Sequence, residues 1–170
     1  MLTSFLPIAS PDARVLILGS MPGKRSLELQ QYYAHSRNSF WYIMDKICGV
    51  KLEIPYAERV TKMTTAGIAI WDVLQHCERE SSLDSDIIAD TEVPNDFVSF
   101  LSTHPHIQSV FFNGKKTEKV FRKRVLPTLA PPFLELPLLC LPSTSPANTR
   151  MSRDEKVQAW CIIQSFLSNK

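Results

Sequence analysis

No stretch of the chain is both long and apolar enough to cross a membrane, so a spanning helix is excluded. The amino terminus, Met1-Leu2-Thr3-Ser4-Phe5-Leu6-Pro7, lacks the basic start and extended apolar core of a secretory signal. Cysteine is sparse and dispersed: Cys48, Cys77, Cys140 and Cys161 form no C-x-x-C pair. Neither a metal site nor an iron–sulfur cluster is expected, and reduced thiols in a cytoplasmic protein are. One-sided charge is missing too, because 19 basic residues face 17 acidic ones for a net +2. That balance announces no nucleic-acid binder, so the placement of the charges has to decide. There is no internal repeat and no low-complexity segment. What remains is 170 residues, 44% hydrophobic and 21% charged, enough for one domain with a sizeable core.

Four short apolar runs read as buried strands: Val15 to Ser20, Ile68 to Leu74, Ile107 to Phe112 and Leu138 to Leu141. Helical spacing recurs between them. Phe40, Ile43, Met44 and Ile47 predict a helix from about Asn38 to Gly49, a glycine suited to a left-handed helix end. Tyr56 to Ala66 predicts a second helix, and Pro94-Asn95 opens a third with Phe97, Phe100 and Leu101 on one face. Lys115 to Arg124 is a basic helix, and Ser152 with Glu155 has capping-box spacing before the stripe Val157, Trp160, Ile163 and Leu167. Glu78 to Asp90 reads as a solvated loop, the one place where a long excursion or disorder is expected. Alternating strands and helices predict an α/β fold, a three-layer αβα sandwich around a four-stranded, mostly parallel sheet. Right-handed crossovers then bring the loops after Ser20, Trp71, Phe112 and Leu141 to one rim, where open α/β sheets bind ligands.

The richest of these loops runs from Gly19-Ser20-Met21-Pro22-Gly23 to Tyr32-Tyr33-Ala34-His35-Ser36-Arg37-Asn38-Ser39-Phe40-Trp41. A loop that only turned the chain would not need two tyrosines, a histidine, an arginine and an asparagine. A Walker-type phosphate cradle is a poor fit. It needs four residues between its glycines and Ser or Thr after the lysine, whereas here there are three, one is Pro22, and Arg25 follows Lys24. Proline also removes one of the N–H groups such a cradle uses.

Gly-x-x-Pro-Gly after the first strand, followed by Tyr-Ala-His-x-x-Asn-x-Phe-Trp, resembles the uracil-DNA glycosylase superfamily, in particular its hypoxanthine-acting and mismatch-specific branches. Phe111-Phe112-Asn113-Gly114-Lys115 and Leu141-Pro142-Ser143-Thr144-Ser145-Pro146-Ala147-Asn148-Thr149-Arg150 resemble later family segments, the latter its DNA-contacting Ser-Pro loop. The resemblance implies a monofunctional, cofactor-free DNA glycosylase of base-excision repair. Its partner would be double-stranded DNA carrying a deaminated base, hypoxanthine before uracil, with single-stranded DNA left open. A monomer is expected. The mismatch-specific relatives place a catalytic asparagine where this chain has Met21, whose thioether cannot position a water. In the hypoxanthine-acting branch the Arg-Asn-x-Phe-Trp asparagine takes that role, which maps onto Asn38. The plainer role of an asparagine there is to cap a helix, and one residue can do both.

By the same resemblance Tyr33 is expected to stack on the flipped base, with simple core packing the ordinary alternative. Ser20, Met21, His35, Phe40, Trp71, Asp72 and Asn113 complete the base-binding set, with helix capping the ordinary alternative for Asp72. Lys24, Arg37, Lys115, Lys116, Ser143, Ser145, Pro146, Ala147, Asn148 and Arg150 are expected on the DNA. Ala147 and Asn148 fall where relatives drive a wedge into the stack, and alanine is a small wedge. Two other readings compete: a DNA-binding protein that has kept the fold without catalysis, motivated by Met21, and a hydrolase of free nucleosides.

Overall fold

The computed structural model describes residues 1–168. The chain begins with β1 (Leu2–Thr3) and β2 (Val15–Gly19), then α1 (Lys24–Leu29), α2 (Phe40–Cys48) and α3 (Tyr56–Thr65). It continues through β3 (Ile68–Asp72), β4 (Leu74–Cys77), β5 (Val93–Pro94), α4 (Phe97–Thr103), β6 (Ser109–Asn113) and α5 (Lys115–Arg124). The chain then forms β7 (Leu138–Leu141), α6 (Arg153–Trp160) and α7 (Ile163–Leu167). The central sheet has the order β3-β2-β6-β7 and all three of its pairings are parallel. This meets the α/β expectation, with a sheet wholly rather than mostly parallel.

Every residue of β2, β3 and β6 is buried, as a parallel sheet covered on both faces requires. Their alternation feeds two cores. Leu16, Leu18, Trp71, Val110 and Phe112 pack with Phe97, Phe100 and Leu101 of α4 and with Val120 and Phe121 of α5. Val15, Ile17, Ile70 and Phe111 pack with Phe40, Trp41, Ile43 and Met44 of α2 and with Trp160 and Ile163. Each large apolar side chain so buried contributes about 1.5–3 kcal/mol. In register, Gly19 faces Asp72 and Asn113 faces Leu141, so the strand ends form one level rim.

Several expected boundaries move. The second run divides after Asp72, and Leu74–Cys77 turns into a small antiparallel sheet of order β1-β4-β5. Pro94 sits in β5, while Asp96 caps α4 by accepting from the Ser99 N–H at 3.0 Å. α2 begins at Phe40, not Asn38, and ends at Gly49 with a left-handed φ of 70°. The Ser152–Glu155 capping box forms, but the last predicted helix breaks into α6 and α7. α1 was not legible as a helix. Glu78 to Asp90 is ordered against the rim, with short helical turns at Asp84–Asp86 and Ala89–Thr91.

Candidate active site

A cleft of about 700 Å³ opens at this rim. Its floor is the end of the sheet, and four segments wall it: 19–26, 32–38, 82–85 and 143–148. Of the residues expected at the site, Ser20, Met21, Lys24, Tyr33, His35, Arg37, Asn38, Asp72, Asn113, Ser143, Ser145, Pro146, Ala147 and Asn148 all line it.

Two do not, Trp71 and Phe40, and strand alternation explains the first. Asp72 turns into the cleft, so its neighbour Trp71 must turn the other way, onto Phe97 and Phe100, with its Nε1 donating to the Phe5 carbonyl. Phe40 is fully buried and stacks on Tyr33 with ring centroids 3.9 Å apart, so it backs the tyrosine instead of lining the cleft. Lys115, Lys116 and Arg150 also lie outside the cleft lining. Lys116 is held by the buried carboxylate of Glu92 at 3.0 Å, which Arg124 also engages at 3.3 Å. Lys115 lies on a separate, open basic face with Lys119, Arg122 and Lys123.

Asp72 forms the floor. It is buried, its Oδ2 accepts from the Ser4 hydroxyl at 2.9 Å, and its Oδ1 lies over Gly19. A Cβ at Gly19 would stand 2.5 Å from that Oδ1 and 3.3 Å from the Tyr33 hydroxyl, so only glycine admits both groups. Burial pushes the Asp72 carboxyl up to about 7, with the Ser4 hydrogen bond and Arg79 opposing the rise and Asp84 adding to it. Asp72 caps no helix, because β4 follows it. The Tyr33 hydroxyl is buried without a hydrogen bond, and desolvation raises its pKa; the residue itself takes a left-handed φ of 56°.

Asn38 stands at the mouth, half-buried. Its Oδ1 accepts the Phe40 N–H at 2.9 Å, so it does satisfy a helix-start donor although Ser39 is the N-cap. That donor also decides the amide orientation, since only oxygen can accept from an N–H. Nδ2 keeps both hydrogens for the cleft. His35 is fixed similarly: Nδ1 accepts the Arg37 N–H at 3.1 Å, which leaves Nε2 as the donor of the neutral ring.

Asn113 is occupied differently from its expected base-reading role. Its Nδ2 donates to Thr144 Oγ1 at 2.9 Å and its Oδ1 accepts the Thr144 N–H at 2.8 Å. One amide hydrogen is left for the cleft, while these two bonds hold the 143–148 loop. Lys156, buried and missed in the sequence, clasps the same loop through the carbonyls of Asn148 and Ser145 at 3.0 and 3.4 Å. Trp160 adds a bond from Nε1 to the Pro142 carbonyl at 2.9 Å.

The 78–90 segment supplies the wall that sequence reasoning missed. The Arg79 side chain is fully buried, donates from Nη2 to the Pro22 carbonyl at 2.6 Å, and lies 3.8 Å from Asp84. Asp84 accepts from the Ser20 hydroxyl at 2.5 Å, and Ser82 Oγ accepts the Lys24 N–H at 3.0 Å. Burial raises the Asp84 carboxyl also. Among the described residues no group of three or more His, Cys, Asp and Glu is placed to hold a metal ion.

The family model of the uracil DNA glycosylase superfamily matches residues 6–164. A protein named hypoxanthine DNA glycosylase from Methanosarcina acetivorans is 32% identical over 156 residues, 89% of this chain and 91% of its own. Another of that name from Methanosarcina barkeri is 37% identical over 114 residues, 66% of this chain and 71% of its own. A solution NMR structure of a candidate uracil DNA glycosylase from M. acetivorans superposes with a TM-score of 0.78 at 28% identity, covering 96% of this chain and 97% of that one. With this fold, this rim and these relatives, the chain belongs to the uracil DNA glycosylase superfamily and is a DNA glycosylase.

Proposed function

We propose that this protein, acting as a single-domain monomer in the cytoplasm, excises hypoxanthine from double-stranded DNA without cutting the strand, with uracil a poorer substrate. The observation that carries the reading is the pairing of a fixed amide, Asn38, at the mouth with a buried carboxyl, Asp72, on the floor. A purine offers O6 and N7 as acceptors and N1–H as a donor. A protonated Asp72 Oδ1 donates to the base edge, and an ionised one accepts from N1–H. The names of the two Methanosarcina relatives support the same substrate.

Water attacks C1′, the bond from C1′ to N9 breaks with its electron pair leaving on the purine, and the proton the water sheds ends, through solvent, on the departed base. The sugar gains positive character in the transition state and the base negative. Asn38 Oδ1 keeps one lone pair that orients the water, while Nδ2, His35 Nε2 and protonated Asp72 are donors for the departing base. Donors fixed before the reaction supply most of such stabilisation. Tyr33, backed by Phe40, offers its remaining face to the flipped base. Lys24 is the lysine on the cleft lining, and it is exposed at the rim, so no Schiff-base step is proposed.

The test is release of free base from duplex and single-stranded oligonucleotides carrying hypoxanthine, uracil or xanthine, with strand cleavage scored before and after alkali. The expected result is hypoxanthine release with cleavage only after alkali. Binding with no base released would favour a non-catalytic DNA-binding protein. Action on free deoxyinosine and not on DNA would favour a nucleoside hydrolase.

A further inference from the structure

Extruding a nucleotide leaves a gap in the stack, and proteins that hold such gaps open insert an apolar side chain. The loop where relatives carry their wedge offers Ala147 here, a single methyl group. Resting on the glycosylase reading above, we propose that Leu83, from the opposite wall, is the wedge that enters the base stack.

Leu83 lines the cleft and is 47% exposed. Among the described lining residues it is the long aliphatic side chain left in solvent, since Met21 and Pro22 are buried and Pro146, half-buried, is a compact ring with less reach. Its backbone is pinned at every step. The Leu83 N–H donates to Ser81 Oγ at 2.8 Å, and its carbonyl accepts from Asp86 at 3.1 Å. The residues on either side are fastened to the first wall, Ser82 to the Lys24 N–H and Asp84 to the Ser20 hydroxyl. Behind them the buried Arg79 bonds the Pro22 carbonyl. A side chain that must push between stacked bases needs such a rigid seat, because a soft loop would yield first. Lys24 and Arg25, exposed on the same lining, are placed for phosphates beside the insertion point.

The experiment compares wild type, Leu83→Ala and Leu83→Met on hypoxanthine in a fully paired duplex and in an unpaired bubble, where the unstacking is already done. Single-turnover base release is measured, together with the fluorescence of 2-aminopurine placed beside the lesion. Leu83→Ala is expected to lower the paired-to-bubble rate ratio at least about tenfold and to reduce the fluorescence rise on binding, with Leu83→Met restoring most of both. An unchanged ratio, or equal loss on both substrates, would overturn the proposal by reducing Leu83 to a part of the wall. If wild type released no base from any DNA, the glycosylase reading would fail, and fluorescence alone would decide the wedge. A rise lost in Leu83→Ala would support it, and a rise that persists, or none in wild type, would overturn it.

Discussion

The wall from Gly19 to Asn38 meets the cleft with close-set backbone, aromatic rings, amide and imidazole donors and exposed cations at its edge, whereas the wall from Ser82 to Ser85 meets it with serines, a carboxylate and one exposed leucine. In the first wall Asn38 keeps both Nδ2 hydrogens, and His35 its Nε2, for a ligand. In the second the polar groups bond back into the protein: Asp84 to Ser20, Ser82 to Lys24, Arg79 to Pro22. On the proposed reading, one wall is equipped for chemistry and the other sets the shape in which the chemistry occurs. Asp72, between them, belongs to both.

The largest effect that would sharpen this division is expected from Gly19→Ala, which drives a Cβ to 2.5 Å of Asp72 Oδ1. Moving the floor by such an amount should lower single-turnover excision roughly a hundredfold, with a stability loss of about 1–3 kcal/mol in chemical denaturation. Near-normal excision would mean that the floor is not where the base sits.

Asp72→Asn tests the floor by pH. The carboxyl is protonated below about 7 and ionised above it, so its donated hydrogen bond is lost as pH rises through that value. Wild-type excision should therefore fall on the alkaline side of 7, and the asparagine variant, whose amide stays neutral, should give a flatter profile. The raised carboxyl also makes wild type relatively less stable as pH climbs from the ordinary aspartate value towards 7, a trend the variant should lose.

A smaller effect belongs to the shaping wall. Asp84→Ala leaves the buried Arg79 guanidinium without its nearby carboxylate and should lower stability by about 1–3 kcal/mol. Its effect on excision should be less than that of Gly19→Ala. The reverse order would break the division between walls.

The smallest expected effect lies on α5. Lys119→Ala should weaken DNA binding and reduce the salt slope of log affinity by about 1. Lys116→Ala should change stability instead, because Lys116 is committed to Glu92. Salt titrations of binding distinguish the two lysines.

The same contrast explains what could be read from the sequence. The strands were legible because parallel-sheet burial writes itself as unbroken apolar runs such as Val15-Leu16-Ile17-Leu18. The first wall was legible because Tyr33, His35 and Asn38 are costly side chains in a loop. The second wall was not. Glu80-Ser81-Ser82-Leu83-Asp84-Ser85-Asp86 has the composition of a solvated loop, and its order comes from bonds to residues about sixty positions earlier, which no local pattern records. Arg79 and Lys156 were missed for a related reason, since buried cations are rare and their partners are backbone carbonyls. Trp71 and Phe40 do not line the cleft: alternation along β3 turns Trp71 onto Phe97 and Phe100, and Phe40 packs behind Tyr33.

The most direct measurement of the central claim is single-turnover release of hypoxanthine from one duplex by Asn38→Ala and Met21→Ala, with DNA affinity measured in parallel. On the proposed reading the chemistry lies at the start of α2 and not at the end of β2. Asn38→Ala should therefore lose on the order of a hundredfold or more in rate with affinity nearly intact, and Met21→Ala should stay within about tenfold of wild type. A near-normal rate for Asn38→Ala, or a collapse confined to Met21→Ala, would contradict it.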